Sequence, residues 1–371
     1  MGKFLFSKEL IVLSDLIQVS IGSRDCLSFN PSSEEWRTVY AQCQAQTIAG
    51  VAFTALEKLS SQTIKPPTDV LFEWIGLSEQ IKQQNILINR RCFEISNMLA
   101  KAGFRCCILK GQGNARMYLN PLSRTPGDID VWVEGERESI RDFVMSRCPN
   151  SVDGIMHIEF PVFNDAVVEV HYLPRHSIVP KYNRRILSWL YGISNEQFSN
   201  FVKIVSSNEE TMAVSTTKFN VVYQMSHMLG HMLAEGIGMR HIIDYYYVLK
   251  ALNNEGRSDN YEQLLDYFGM LHFAKGIMWI EEMICGMNKE WAIVSPSEET
   301  GRLILLDVLD GGNFGRSRVN RANRNNGVLR RVLVDTTRLF HLFRVQPSQA
   351  VWRLAHKFTN VDSAKQLFLH K

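Results

Sequence analysis

The sequence predicts an α+β protein in which a small mixed sheet is flanked by N- and C-terminal helical regions. Three observations carry this prediction. Apolar residues recur at three- and four-residue spacing before residue 103, short apolar runs replace that pattern over 104–173, and helical spacing returns from about residue 181. We therefore divide the 371 residues into an N-terminal helical region (1–103), an α/β core (104–180) and a C-terminal helical domain (181–371).

The N-terminal region is predicted to form helices on both sides of one linker. Residues 36–59 carry the periodicity of an amphipathic helix. The segment SSQTIKPPTD (60–69) is a linker, because Pro66 and Pro67 prevent one helix from continuing through it. A long helix follows from about 69 to 102 and ends at Gly103, a residue type that is common just past helix ends.

The central segment contains short strands in place of long helices. FRCCILKG (104–111) is apolar and ends in glycine, which is typical of a buried strand, and DIDVWVE (128–134) predicts a second one. Between them, 112–119 can form a short helix, and 136–148 predicts an amphipathic helix. HIEFPVF and AVVEVHYL, which meet at Asn164 and Asp165, predict a β-hairpin.

Composition limits the classes of function without selecting one. The net charge of +3 does not by itself require nucleic acid or membrane as a partner, and no run reaches the roughly 18 apolar residues of a membrane helix. Lys8 and Glu9 interrupt the N-terminal apolar run, so we do not expect a signal peptide. Seven scattered cysteines are typical of reduced thiols in a cytoplasmic protein.

Two aspartates at the start of the second strand form the first candidate site. Asp128 and Asp130 are two residues apart, so in a strand they share one face. Like charges at this distance repel each other unless a cation such as Mg²⁺ lies between them. Glu169 stands between valines on a later strand, and His171 shares its face. The alternatives are an exposed turn before an edge strand, and a Glu169 that faces solvent.

A glycine turn precedes these acids. In ILKGQGNARMY (108–118), Lys110 and Gly111 join a strand to a helix, where free backbone N–H groups can bind an anion. Arg116 and Arg124 add positive charge nearby. Each feature alone is compatible with an ordinary surface turn, but together with the acids they describe a site for polyphosphate and metal.

This order of residues resembles the DNA polymerase beta-like nucleotidyltransferase superfamily. The run of Leu-Lys-Gly, Tyr-Leu-Asn-Pro, Arg and Gly-Asp-Ile-Asp is similar to its bacterial "uncharacterised nucleotidyltransferase" branch, chiefly over 104–173. HMLGHMLAEGIGMRHIIDYYYVL (227–249) is similar to the branch's His, Gly, Arg and Asp stretch. The turn here is Gly111–Gln112, where the superfamily usually has Gly-Gly or Gly-Ser.

The resemblance implies a magnesium- or manganese-dependent enzyme with a nucleotidyltransferase core. It would move a nucleoside monophosphate from a nucleoside triphosphate such as ATP to an acceptor and release pyrophosphate. Asp128, Asp130 and Glu169 would be the catalytic and metal-binding triad. The implied nucleotide contacts are Lys110, Gly111, Gln112, Arg124 and His171. The acceptor, a small molecule, a protein or a nucleic acid, is not specified, and we expect no membrane partner.

Three further groups remain open from sequence alone. His227, His231 and Glu235 share a helix face and could bind zinc, line the acceptor side of the cleft or simply pack. Arg240 and Asp244 are most simply an (i, i+4) salt bridge, although the resemblance allows a functional role. Eight arginines between Arg316 and Arg344 could follow a nucleic-acid backbone with salt-sensitive affinity, or could form a solvated loop.

Two functions from other classes therefore stay beside the enzyme. One is a protein that binds nucleotide and a partner without turnover. The other is a nucleic-acid-modifying module that uses the arginine-rich segment.

Overall fold

A computed structural model places helices on both sides of a small mixed sheet. It describes residues 7–60, 64–174, 177, 179–205, 210–256, 259–317, 338 and 342–352. The predicted α+β class is confirmed. None of the helices in these ranges is long and apolar enough to cross a bilayer. All seven cysteines are free thiols.

Four N-terminal helices precede the sheet: α1 (Lys8–Ile21), α2 (Ser33–Ala45), α3 (Ala49–Lys58) and α4 (Thr68–Lys101). A capping box starts α2, because the Ser32 side chain accepts a hydrogen bond from the Glu35 N–H and the Glu35 carboxylate accepts one from the Ser32 N–H. Helix α4 begins directly after Pro67, and Gly103 follows its end with a φ of 87°. The predicted long helix and the break before it are confirmed.

Four strands form the sheet: β1 (Cys106–Leu109), β2 (Ile129–Val133), β3 (His157–Glu159) and β4 (Val168–His171). Their spatial order is β1-β2-β4-β3, and β2 runs parallel to β4 whereas the other neighbours are antiparallel. The predicted hairpin is the pair β3 and β4. Helix α5 (Gly111–Ala115) lies between β1 and β2, and α6 (Arg137–Arg147) lies between β2 and β3. Asp128 lies just before β2 rather than inside it.

The chain returns to helices after the sheet, as predicted. These are α7 (Pro180–Gly192), α8 (Ser194–Gln197), α9 (Thr217–Ala234), α10 (Met239–Glu255), α11 (Tyr261–Tyr267), α12 (Leu271–Ile284) and α13 (Glu298–Gly311). The sequence analysis missed one hairpin, β5 (Phe201–Lys203) with β6 (Thr211–Ala213). Each strand has three residues, and both ends of β5 are exposed, so neither strand produces a detectable apolar run.

The two faces of the sheet pack against different helices. One face contributes Ile108, Val131 and Val170 to a core that it shares with α4 and α6. Because side chains alternate along a strand, the residues between them point to the opposite face. The division of the chain at residues 103 and 180 stays a prediction.

The opposite face is covered by the C-terminal helices. Trp132 on β2 belongs to a second core, to which both the N- and the C-terminal helices contribute. Its ring centre lies 4.7 Å from that of Phe198 and 5.7 Å from that of Phe219 on α9. Asp130 is two residues before Trp132 and therefore lies on this same, helix-covered face.

Glu281 on α12 is an acid buried inside the helical core. Its side chain is fully buried, and the Cys285 thiol, a weak donor, is the neighbour that interacts with its carboxyl group. Burial raises the pKa of Glu281 well above the ordinary value of 4.5. The folded protein therefore keeps this carboxyl protonated at pH values where the unfolded chain ionises it.

We expect Glu281→Gln to make the protein less sensitive to rising pH. Below about pH 4.5 both states of the wild type are protonated and Glu281 costs nothing. Above it, only the unfolded state ionises, so the wild type loses up to about 1.4 kcal/mol of stability per pH unit relative to the variant. Urea unfolding of both proteins at pH 5 and pH 7.5 measures this difference. An equal change in stability for both proteins would show that Glu281 ionises in the folded state.

Candidate active site

Three acidic side chains converge on the helix-covered face of the sheet. Asp130 on β2 is directly paired with Glu169 on β4, and Asp128 lies one residue before β2. One oxygen from each of the three carboxylates lies within 4.8 Å of the other two. Glu169 also belongs to a second group, with His157 and His171, whose ligand atoms are equally close. The structure thus brings together the acids that the sequence analysis singled out.

Two cations of the protein balance the charge of Asp130. Its Oδ2 lies 3.0 Å from Lys110 Nζ, and its Oδ1 lies 2.9 Å from His171 Nε2. Burial alone would raise the pKa of Asp130, but Lys110 and His171 together lower it below its usual range. Burial alone would lower the pKa of His171, but its contacts to Asp130 and Glu169 raise it to about 9. Asp130 is therefore ionised and His171 protonated at neutral pH.

The other two acids differ in their environments. Repulsion by Asp130 and then burial raise the pKa of Asp128 above its ordinary value. Burial alone would raise the pKa of Glu169, but the hydrogen bond from His171 lowers it overall. Glu169 is thus held in its ionised form, whereas Asp128 is the acid whose charge is least compensated.

Lys110 sits in a backbone conformation that non-glycine residues rarely adopt. Its φ is 41° and its ψ is −136°, and Gly111 follows with a φ of 39°. Such conformations persist where the surrounding structure holds them, often at functional sites. Burial alone would lower the pKa of Lys110, but Asp130 and then Asp128 raise it, so the amine stays charged. The turn places an ammonium group directly beside the acids.

Helix α9 forms the opposite side of the site. Lys110 Nζ lies 3.0 Å from His227 Nε2, which lies 3.1 Å from His231 Nε2. The other ring nitrogen of His231 lies 2.8 Å from Glu235, just past the end of α9. His231 thus uses opposite nitrogens for its two neighbours. The three residues form a chain of contacts rather than a zinc cage around one point.

The expected salt bridge between Arg240 and Asp244 is wrong. Asp244 instead accepts two hydrogen bonds from Arg124, Nε to Oδ1 at 2.7 Å and Nη2 to Oδ2 at 2.8 Å. Tyr118 donates a third at 2.7 Å. Arg124 and Asp244 are 4% and 5% exposed, so this is a buried, bidentate ion pair. The Asp244 carboxylate thus accepts its hydrogen bonds from Arg124 and Tyr118. It does not pair with Arg240, one turn earlier on α10.

Gln112 is the predicted nucleotide contact whose side chain lies elsewhere. Its amide donates to the side-chain oxygens of Asn89 at 2.6 Å and Asn85 at 3.3 Å, both on α4. It is buried against α4 and does not line the cavity described below. Because the Gln112 side chain is hydrogen-bonded to α4, only its backbone N–H is placed to contact a ligand.

A cavity of about 460 Å³ joins these parts. Seven of the predicted site residues line it: Lys110, Gly111, Arg124, Asp128, Asp130, Glu169 and His171. The sequence analysis did not single out Tyr223, His241 and Phe314, which line the helical side. Burial lowers the pKa of His241 well below its ordinary value, so this imidazole is neutral. In the sequence, Tyr223 and His241 lie on apolar helices and cannot be distinguished from ordinary core residues, and Phe314 lies in a short turn without a motif.

Most of the arginine-rich segment lies outside the described residues. Two of its members are described with acidic partners: Arg338 binds Asp307 at 3.0 Å, and Arg344 binds Glu299 at 2.8 Å. Arg338 also donates to backbone carbonyls at the end of α9. These two arginines therefore connect helices. Apart from Arg316, which is described and exposed, the nucleic-acid hypothesis concerns residues outside the described part.

Comparison with protein families gives one match. Residues 32–284 match the family described as "Uncharacterised nucleotidyltransferase". This range covers more than half of the chain and runs from α2 to the end of α12, so it includes the sheet and the helices α9 and α10. It confirms the resemblance drawn from the sequence. Searches of curated proteins and of solved structures return no match.

We expect Asp244→Asn to destabilise the fold by about 3–5 kcal/mol, because it leaves the Arg124 guanidinium buried without a counter-charge. Urea unfolding measures the loss. Tyr118→Phe is the matched control, since it removes one hydrogen bond to the same carboxylate and costs about 1 kcal/mol. Adding Arg124→Met to Asp244→Asn should restore part of the stability. A single variant as stable as the wild type would contradict the buried pair.

Proposed function

Since the chain belongs to the uncharacterised nucleotidyltransferase family, we propose that it transfers a nucleoside monophosphate from a nucleoside triphosphate, such as ATP, to an acceptor. The observation that carries this proposal is the convergence of Asp128, Asp130 and Glu169 on one cavity. Two neighbouring strands hold two of these acids in register, so their spacing is a property of the sheet. Location in the cytoplasm, expected from the free cysteines, belongs to the same proposal.

The acidic triad fits a hard divalent cation. Three carboxylate oxygens within 4.8 Å of one another offer the oxygen ligands that Mg²⁺ and Mn²⁺ prefer. We assign Asp128, Asp130 and Glu169 as the groups that would hold such ions. When bound, the metal would neutralise charge on the triphosphate and promote loss of the acceptor proton.

The residues of the protein would each have a separate role in one nucleophilic displacement at phosphorus. An acceptor oxygen attacks the α-phosphorus, the bond from that phosphorus to the bridging oxygen of the β-phosphate breaks, and pyrophosphate leaves with those electrons. Glu169, held ionised, accepts the acceptor proton. Lys110, held charged, and the backbone at Gly111 contact the triphosphate.

We expect Asp128→Asn to lower pyrophosphate release by at least about 100-fold, the scale of losing one electrostatic group at the reacting centre. Asp128 is the informative position, because Asp130 is buried in ion pairs and its loss would also perturb the fold. The assay follows pyrophosphate with each of the four nucleotides against a panel of small-molecule, protein and nucleic-acid acceptors. Asp142→Asn, an exposed aspartate on α6, is the matched control. Equal activity of Asp128→Asn and wild type would refute the triad.

Removal of divalent cations should abolish pyrophosphate release. We expect excess EDTA to stop turnover and added Mg²⁺ or Mn²⁺ to restore it, because the carboxylate oxygens of the triad would hold the cation that neutralises the triphosphate. Turnover that persists in EDTA at an undiminished rate would rule out the metal-dependent mechanism while leaving a transferase.

A second candidate, a nucleotide-binding protein without turnover, is favoured by one observation. Both oxygens of Asp130 already contact protein cations, which a metal ion would have to displace or rearrange. Such a protein would bind a triphosphate but release no pyrophosphate with any acceptor. Its nucleotide affinity, measured by calorimetry, would not fall on Asp128→Asn by more than a few fold, whereas the enzyme would lose turnover.

A further inference from the structure

Arg240 is a buried cation that forms no ion pair with an acid among the described residues. It lies on α10, one turn before Asp244, and the two would ordinarily form a helix salt bridge. Asp244 is instead engaged by Arg124 and Tyr118. Within the described residues, no other acid forms an ion pair with Arg240. Because Arg124 takes both oxygens of Asp244, Arg240 is left without an ion-pair partner among the described residues.

The guanidinium of Arg240 is held in place beside the acidic triad. The residue is 9% exposed, and it lines the same cavity as Asp128 and Lys110. Its Nη1 donates to the Thr125 carbonyl at 3.0 Å, whereas its Nε is buried without a hydrogen-bond partner. A methyl group on Gly127 would lie 3.6 Å from Nη1, so the side chain crosses the backbone just before Asp128.

This arrangement costs free energy in the protein alone. A buried charge without a partner is unfavourable, and a buried N–H without an acceptor adds to that cost. Burial, and then the neighbouring Arg124, lower the pKa of Arg240 to about 10, so it is still protonated at neutral pH. An anionic oxygen in the cavity would remove both penalties, and guanidinium groups match phosphate oxygens in geometry as well as charge.

We propose that Arg240 binds a phosphate oxygen of the substrate, from the α10 wall of the cavity. This inference rests on the proposed function for the identity of the substrate. The phosphate has two sources in such a reaction, the triphosphate of the nucleotide or a phosphate group on the acceptor. Both present the same chemistry to Arg240, and the experiment below separates them.

Calorimetry with three proteins tests this assignment. Wild type and Arg240→Met are titrated with inorganic tripolyphosphate, with a non-hydrolysable α,β-methylene analogue of ATP, and with inorganic phosphate after saturation by that analogue. Arg90→Met is the matched control, since Arg90 is an exposed arginine paired with Glu94 on α4. Loss of one charge-assisted hydrogen bond should weaken binding by at least about tenfold, and the control should not change.

The pattern of loss identifies the source of the phosphate. If Arg240→Met binds both tripolyphosphate and the analogue more weakly, Arg240 contacts the triphosphate of the nucleotide. Unchanged analogue binding with weaker inorganic phosphate places it on the acceptor. Wild-type affinity of Arg240→Met for all three probes would overturn the proposal, as would a wild-type protein that binds none of them.

Stability separates a ligand contact from a structural role. Since Arg240→Met removes an unbalanced charge, we expect its melting temperature to equal or exceed that of the wild type while its phosphate binding falls. Tripolyphosphate should raise the melting temperature of the variant by less than that of the wild type. If Arg240→Met does not fold, Arg240→Lys decides. Lysine lacks the planar fork, so about tenfold weaker binding is expected, and unchanged binding would overturn the proposal.

Failure of this proposal differs from failure of the proposed function. A wild type that releases no pyrophosphate with any acceptor, yet binds tripolyphosphate through Arg240, would refute the transferase and keep the contact. If wild-type turnover requires Asp128 and Arg240→Met binds every probe normally, the transferase is supported and the Arg240 contact is refuted.

Discussion

The parallel pairing of β2 with β4 is the constraint on which the candidate site depends. Ile129 and Val131 pair with Val168 and Val170, and all four side chains are buried in the core beside α4 and α6. This apolar register forces the residues between them, Asp130 and Glu169, together on the other face. A slip of one residue would turn an acid into the core, which is a large penalty. Hydrophobic packing on one face thus sets the distance between carboxylates on the other.

Charge balance then connects the sheet to the C-terminal helices. Lys110 and His171 offset Asp130 from within the α/β segment, whereas Asp244 on α10 offsets Arg124 across the cavity. The two parts of the chain that bound the cavity are therefore joined by the buried ion pair between Arg124 and Asp244. Arg240 departs from this pattern because it is buried and forms no ion pair with an acid of the described residues. A ligand carrying negative charge would complete the set, since buried charges in proteins are normally paired.

The sequence was sufficient for the features that local pattern encodes. Helical spacing, the two prolines before α4 and the alternation in β2 and β4 are local, and helices and strands form in those regions, although the periodic run 36–59 is divided into α2 and α3. The Asp-x-Asp pair is also local, and its two carboxylates lie close to that of Glu169. At the site, the departures from expectation concern long-range geometry. Asp244 takes a partner 120 positions away in place of one four positions away, and Gln112 turns toward α4. The spacing of apolar residues does not show which of two arginines pairs with a given carboxylate. It also does not show on which side of a turn a side chain lies.

The position of Trp132 has a consequence for attempts to isolate the α/β segment. This side chain is 1% exposed, and Phe198 and Phe219, which cover it, come from beyond residue 180. An excised fragment spanning 104–180 would present an indole and its apolar neighbours Cys107 and Leu109 to water over the face that carries the acids. Exposed apolar patches of that kind promote aggregation. Truncation to 104–180 is therefore not expected to yield a stable isolated domain. The C-terminal residues that cover Trp132 protect the apolar face of the sheet from aggregation.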